Sequence, residues 1–213
     1  MPFTTDQDAA VKSNMKIGIF GGAFNPVHNG HMNLAEIYYR GLELDKLIFI
    51  PTAHPPHKSG EALASQQDRL NMLSLAIEDK PYEVSQIEFQ RQGKSYTYDT
   101  LTELKKLYSN DTLYLIIGAD QFLTFDRWYR YKDILNMAVL CTCAREDEEE
   151  KQRIKSFASN LGLGNDEYFL STEPVLRVSS SQIRTGIMNG EDISSLLPKR
   201  VLEYILEKGL YCV

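Results

Sequence analysis

Six short apolar runs rich in β-branched and aromatic residues punctuate the chain, and between them apolar residues recur at helical spacing. The first holds Ile17, Ile19 and Phe20 around Gly18 and stops at the Gly21-Gly22 pair, as a buried strand would. Residues 46–51, 112–117 and 138–144 have the same character, 82–89 alternates Val84 and Ile87 with polar positions, and 168–171 reads as a last edge strand. Helices are expected from Asn29 (Met32, Leu34, Ala35, Ile37, Tyr38), over 66–80, over 97–108 with Thr97 or Ser95 as cap, and as one or two pieces over 121–137. Three more follow: one opened by the acidic run 145–153, one after the serines 179–181, and one from Pro198 to Gly209. Strands alternating with helices specify an α/β fold, a single Rossmann-like doubly wound parallel sheet with helices on both faces.

Composition narrows the class. With 213 residues and no internal repeat or linker, the chain is expected to form one domain over 15–213, preceded by a flexible polar extension over 1–14, with Met15 as an alternative start. A net charge of −6 and a pI near 5.3 count against a nucleic-acid or anionic-membrane partner and favour a small ligand. No window reaches 18 apolar residues, and the first residues lack a signal-peptide core. Cys141 and Cys143 would share one face of a strand and cannot both pair with Cys212, so reduced thiols and a cytoplasmic location are expected. The sequence leaves the oligomeric state open, a homodimer included.

The candidate chemistry gathers at glycine-ended strands. Gly21 and Gly22 leave backbone N–H groups unobstructed, and the helix that follows points its unpaired amides and positive dipole end at the same place, which makes an anion site suited to phosphate. His28 and His31 stand at its lip, one just before the helix and one in its first turn, so both can face what it binds. Gly118-Ala119-Asp120 closes another strand in the same manner, which suggests one shared crevice. Ser179, Ser180, Ser181, Arg184 and Lys58 add donors for phosphate oxygens, and no nucleophile is evident. Two other classes compete. HNGH and HPPH invite a metal-dependent hydrolase, but no carboxylate lies close to either pair; a dinucleotide redox protein would need the GxGxxG turn that is missing here.

In chain order, GGAFNPVHNGHM (21–32), PPHK (55–58), SYTYDTL (95–101), IIGADQFLTFDRWYRYKDIL (116–135) and VSSSQIR (178–184) resemble the signatures of the HxGH nucleotidyltransferases. In this register they are similar to bacterial nicotinate mononucleotide adenylyltransferases from residue 15 to about 211. The resemblance implies transfer of AMP from ATP to nicotinate mononucleotide, giving deamido-NAD and pyrophosphate, with Mg²⁺ carried by ATP rather than by a protein site. It implies a catalytic set of His28, His31 (on the α-phosphate), Lys58 and Arg184. It puts Gly21, Gly22, Ala23, Phe24, Gly118, Asp120, Ser179, Ser180, Ser181 and Ile183 on ATP, and His57, Thr97, Trp128, Tyr129 and Arg145 on the acceptor, with Trp128 stacked on the pyridine ring. Phosphopantetheine or nicotinamide mononucleotide remains the runner-up acceptor. Three positions depart from the family: Ala23 replaces a hydroxyl residue, Ser181 a threonine, and Glu146-Asp147 a Pro-Gly, which leaves the role of Arg145 open.

Overall fold

The computed structural model describes residues 14–54, 63–144, 148–164 and 167–212. His57, Lys58, Arg145 and all but the last residue of the expected extension therefore lie outside the described residues. Along the chain run β1 (Lys16–Gly22), α1 (Asn29–Gly41), β2 (Lys46–Pro51), α2 (Gln66–Ile77), β3 (Tyr82–Val84), α3 (Thr97–Leu107), β4 (Thr112–Ile116) and α4 (Ala119–Phe122). After a 3-10 turn at Phe125–Arg127 come α5 (Tyr131–Leu135), β5 (Ala138–Cys143), α6 (Glu148–Asn160), β6 (Tyr168–Ser171), α7 (Ser180–Met188) and α8 (Lys199–Lys208).

All strand pairs are parallel and the order is β3-β2-β1-β4-β5-β6. The pleat sends alternate residues to opposite faces, so each strand is apolar on both sides and reads as an unbroken run. Phe20, Leu47, Phe49 and Ile116 meet Leu34, Ala35 and Tyr38 of α1, Met72 and Leu73 of α2, Ile183 of α7 and Val201 and Ile205 of α8. Ile17, Ile19, Ile48, Leu113 and Leu115 meet Leu101 and Leu104 of α3, Phe122 of α4, Ile134 of α5 and Ile154 of α6. The sheet is thus doubly wound, and each fully buried Ile or Leu contributes about 1.5–3 kcal/mol. The Tyr38 hydroxyl donates to the Thr142 carbonyl and so ties α1 to β5. Cys141 and Cys143 are free and buried on the α1 side, and burial pushes the Cys141 thiol well above its ordinary range.

Two elements are shorter than the sequence implies. Helix α2 ends at Ile77, where Lys80 N–H turns back to the Ile77 carbonyl at 2.8 Å. Strand β3 stops at Val84 rather than residue 89, because its partner β2 runs out at Pro51, whose ring supplies no N–H. The chain turns instead, with Phe89 N–H on the Gln86 carbonyl at 2.9 Å, and carries Glu88 into the interior.

Because the order of strands reverses between β1 and β4, their carboxyl ends open a crevice at Gly21-Gly22 and Gly118. A buried cation holds its rim. Arg69 of α2 is 1% exposed; its Nη1 donates to the carbonyls of Ala23 (2.9 Å) and Thr52 (2.7 Å), and its guanidinium lies 5.3 Å from the Phe89 ring centre. Burial lowers its pKa, yet an arginine keeps its proton at any physiological pH. Its Nε has no partner, so the residue already bears part of its desolvation cost. Arg69→Met should lower stability by about 2 kcal/mol, since two orphaned carbonyls at roughly 1–3 kcal/mol each outweigh the relieved desolvation. Urea unfolding midpoints test this, and an unchanged midpoint would show that water satisfies both carbonyls.

Candidate active site

The site begins with how α1 starts. His28 is its N-cap in extended conformation, and the two imidazoles share the work of a capping box. His28 Nδ1 accepts the His31 N–H at 3.3 Å, and His31 Nδ1 accepts the His28 N–H at 3.2 Å. The rings stack with centroids 3.6 Å apart. A neutral imidazole whose Nδ1 accepts carries its proton on Nε2. Both rings are therefore fixed as Nε2–H donors, and neither Nε2–H is given to a protein acceptor among the described residues.

Their environment keeps them neutral. Burial brings His28 down to about 4, and burial followed by the neighbouring His28 holds His31 well below its usual 6.5. His31 is half-buried and lines the crevice against the edges of Phe24 (5.0 Å) and Phe20 (6.0 Å). His28 is 5% exposed and, unlike His31, does not line the cleft. Gly30 makes room for this stack: a Cβ there would lie 3.0 Å from the Leu176 carbonyl oxygen and 3.1 Å from His28 Nδ1.

The crevice is a cleft of about 840 Å³. Gly21, Gly22, Ala23, Phe24 and His31 form one wall, and a Cβ on Gly21 would meet nothing within 4 Å, so the strand end is open to a ligand. Thr97, Gly118, Trp128 and Tyr129 line the same cleft. Trp128 is backed by Phe125 at 5.1 Å, and the 52% exposed Tyr129 by Tyr96 at 4.7 Å. Helix α3 starts at the cleft with Tyr96 as N-cap and no side-chain cap. Neither Thr97 nor Ser95 caps it; Ser95 Oγ instead accepts the His54 N–H at 3.2 Å. Asp99 N–H turns back to the Tyr96 carbonyl at 3.1 Å, which leaves the Thr97 and Tyr98 amides, at the end of α3 that lines the cleft, without a partner among the described residues.

The serine cluster divides its tasks. Ser179 caps α7 by accepting the Gln182 N–H at 3.1 Å, Ser180 reaches the cleft and donates to the Pro26 carbonyl at 2.9 Å, and Ser181 accepts from Arg184 Nη2 at 3.2 Å. Arg184 Nη1 donates to the Asn25 carbonyl at 2.8 Å, so the guanidinium braces the loop behind the phosphate wall. Ile183 is wholly buried in the core, its N–H bonds to the Ser179 carbonyl at 3.2 Å, and its side chain does not line the cleft. Asp120 neither caps α4, whose N-cap is Gly118, nor lines the cleft. Sequence reasoning missed Arg69, Glu88, Gln121, Thr124 and Arg127. Of these, Arg69 was visible as a charge three and four residues before the apolar Met72 and Leu73, whereas Arg127 and Glu88 reach the cleft only through the turns that carry them.

An open parallel sheet with a cleft at the carboxyl ends of its strands, at the switch point, is the build of a nucleotide-binding fold. A family model for cytidylyltransferase-like proteins matches residues 19–186, and the chain belongs to that family. It is 37% identical over 201 residues to a probable nicotinate-nucleotide adenylyltransferase of Dehalococcoides mccartyi (strain CBDB1), covering 93% of this chain and 98% of the relative. A relative of the same name from Carboxydothermus hydrogenoformans is 40% identical over 197 residues, covering 92% and 98%. Among solved structures, the Plasmodium falciparum nicotinic acid mononucleotide adenylyltransferase complexed with NaAD has the same fold, with a TM-score of 0.75 at 20% identity over 92% of this chain and 97% of that one.

The imidazole cap sets a pH limit. Unfolded, each ring takes a proton near pH 6.5; folded, His28 refuses one until about 4. As pH falls through that window the unfolded chain gains protons that the folded chain does not, so stability present above 6.5 is lost toward 4. Denaturation midpoints from pH 7.5 to 4.5 should fall, and His28→Asn, which keeps a capping oxygen that does not titrate, should flatten the slope. An equally steep fall in the variant would place the loss elsewhere.

Proposed function

We infer that the chain transfers AMP from ATP to nicotinate mononucleotide, giving deamido-NAD and pyrophosphate. The observation that carries this reading is the pair of Nε2–H donors held at the start of α1, beside the open end of β1, with the uncapped start of α3 lining the same cleft. The identity of about 37–40% with relatives named for this reaction, over nearly their whole length, supports the same acceptor.

The reaction needs no enzyme nucleophile. The acceptor's 5′-phosphate, with a second pKa of about 6, is mostly dianionic at neutral pH. One of its oxygens attacks the α-phosphorus of ATP; the new P–O bond forms as the bond from the α-phosphorus to the bridging oxygen breaks, and pyrophosphate departs with that electron pair. What the protein supplies is alignment and donors for the oxygens that gain charge. We assign His31, which lines the cleft, to the α-phosphate, the starts of α1 and α7 to the rest of the triphosphate, and Lys58 by resemblance to the same charge. Trp128 would stack on the pyridine ring, and the free amides at the start of α3 suit a carboxylate better than a neutral amide.

Mg²⁺ belongs to this reading as a companion of ATP. Among the described residues no three His, Cys, Asp or Glu side chains converge on one point, so phosphate oxygens would supply most of the ion's ligands. Free Cys141, Cys143 and Cys212 suit a reducing compartment, and we place the enzyme in the cytoplasm. No helix among the described residues is long and apolar enough to cross a membrane.

Two measurements test the reading. Pyrophosphate release from ATP should be at least about tenfold faster with nicotinate mononucleotide than with nicotinamide mononucleotide or phosphopantetheine, a gap of about 1.4 kcal/mol or more in transition-state binding; preference for either alternative overturns the acceptor. His31→Ala should lower kcat by roughly 10²–10³, the usual cost of one transition-state donor, while the acceptor's Kd stays within about threefold. Unchanged turnover removes His31 from the chemistry.

A further inference from the structure

The wall formed by Ala23 and Phe24 is held by bonds from four separate parts of the chain. Arg69 of α2 takes the Ala23 carbonyl, Arg184 of α7 the Asn25 carbonyl, and Ser180 the Pro26 carbonyl. The Asn25 side chain, 1% exposed, receives two more: its Oδ1 accepts the Ala64 N–H at 2.9 Å and the Tyr211 hydroxyl at 2.8 Å. Tyr211 comes from the tail beyond α8. Gly209 caps that helix in left-handed conformation (φ 59°), Leu210 N–H returns to the Ile205 carbonyl at 3.0 Å, and Tyr211 itself has φ 65°. This turn folds the tail back under the phosphate wall, and Tyr211 packs on the core beside α2 and α8.

The arrangement concentrates three functions on one amide oxygen. Asn25 Oδ1 joins the segment that re-enters after residues 55–62, where Lys58 lies, to the tail and to the loop between β1 and the imidazole cap. The Tyr211 hydroxyl has one proton, spent on Asn25, and its oxygen faces the positive fields of Arg184 and Arg69. Losing that hydroxyl would take one donor from Oδ1 and one oxygen from the surroundings of Arg184.

We propose that Tyr211 is a positioning residue for the transfer: through Asn25 it fixes the loop, braced from behind by Arg184, that carries the Ala23–Phe24 wall of the cleft. The proposal rests on the activity assigned above. It gives the tail a role in turnover, where packing alone would give it a role in stability only.

Tyr211→Phe removes one oxygen and keeps the ring. With saturating ATP and nicotinate mononucleotide, its kcat should fall about tenfold, equivalent to about 1.4 kcal/mol of barrier, while KM for the acceptor stays within about twofold. Tyr204→Phe is the control: that hydroxyl donates to Asp68 Oδ1 at 2.8 Å and accepts from Asn71 at 2.9 Å, away from the loop, and its loss should leave kcat within about twofold. Asn25→Ala should lose at least as much kcat as Tyr211→Phe, and adding Tyr211→Phe to it should cost far less than the tenfold it costs alone, because both changes act on the same hydrogen bond. A wild-type kcat in Tyr211→Phe, or a further tenfold loss in the double variant, overturns the proposal. So does a wild-type kcat in Asn25→Ala, whether or not the Tyr211 variant folds. Failure of the unaltered chain to release pyrophosphate from ATP and nicotinate mononucleotide would instead overturn the assigned activity; an active chain indifferent to both substitutions overturns only the role of Tyr211.

Discussion

The reciprocal hydrogen bonds between His28 and His31 are the constraint around which the site is built. A helix start has unpaired amides, and the usual remedy is a hydroxyl or carboxylate cap. Here the remedy is a pair of imidazoles, and the substitution has a chemical result. Spending each Nδ1 on a backbone N–H forces the remaining proton onto Nε2, so satisfying the backbone and orienting the donors are one act. Stacking at 3.6 Å and burial then forbid protonation, because a charged ring would have no lone pair for the cap and another imidazole at its face. A small neighbour is needed for this stack, which is the physical role of Gly30 beside the His28 ring.

The rest of the fold delivers partners to that cap. Strand β1 is central, paired to β2 and β4, and its glycine end is aimed by core packing on both faces. In the same cleft, α3 presents a start without any side-chain cap, beside Trp128 and Tyr129. A chain of net charge −6 can hold two phosphorylated molecules here because backbone amides and imidazole N–H groups, rather than clustered lysines, face the cleft among the described residues. Arg69 and Arg184 act from behind, each on loop carbonyls.

Periodicity made the sheet legible. Runs such as LIFIP (47–51) are apolar on every residue because both faces are covered, and six strands separated by helical patterns leave little choice of architecture. The phosphate wall was legible too, since Gly21-Gly22 and HNGH are contiguous in sequence and the structure keeps them adjacent. What was hidden depends on contacts remote along the chain. Nothing near residue 88 announces that the expected strand breaks because Pro51 ends its neighbour, or that Glu88 turns inward. Ile183 sits inside a family motif, yet its side chain answers to the core. Asn25 meets its partners 39 and 186 positions away, and no local pattern encodes that meeting.

Neutrality of the imidazole pair bears on the end of the catalytic cycle as much as on its middle. A ring of fixed cations at this point would grip the departing diphosphate as firmly as the reactant. Uncharged N–H groups and helix dipoles give most where charge builds on the α-phosphorus oxygens, and they exert less hold on an anion that can regain full hydration outside. In the transfer proposed above, the uncharged His31 N–H is therefore a poorer anchor for the leaving group than a fixed cation, which favours emptying of the cleft.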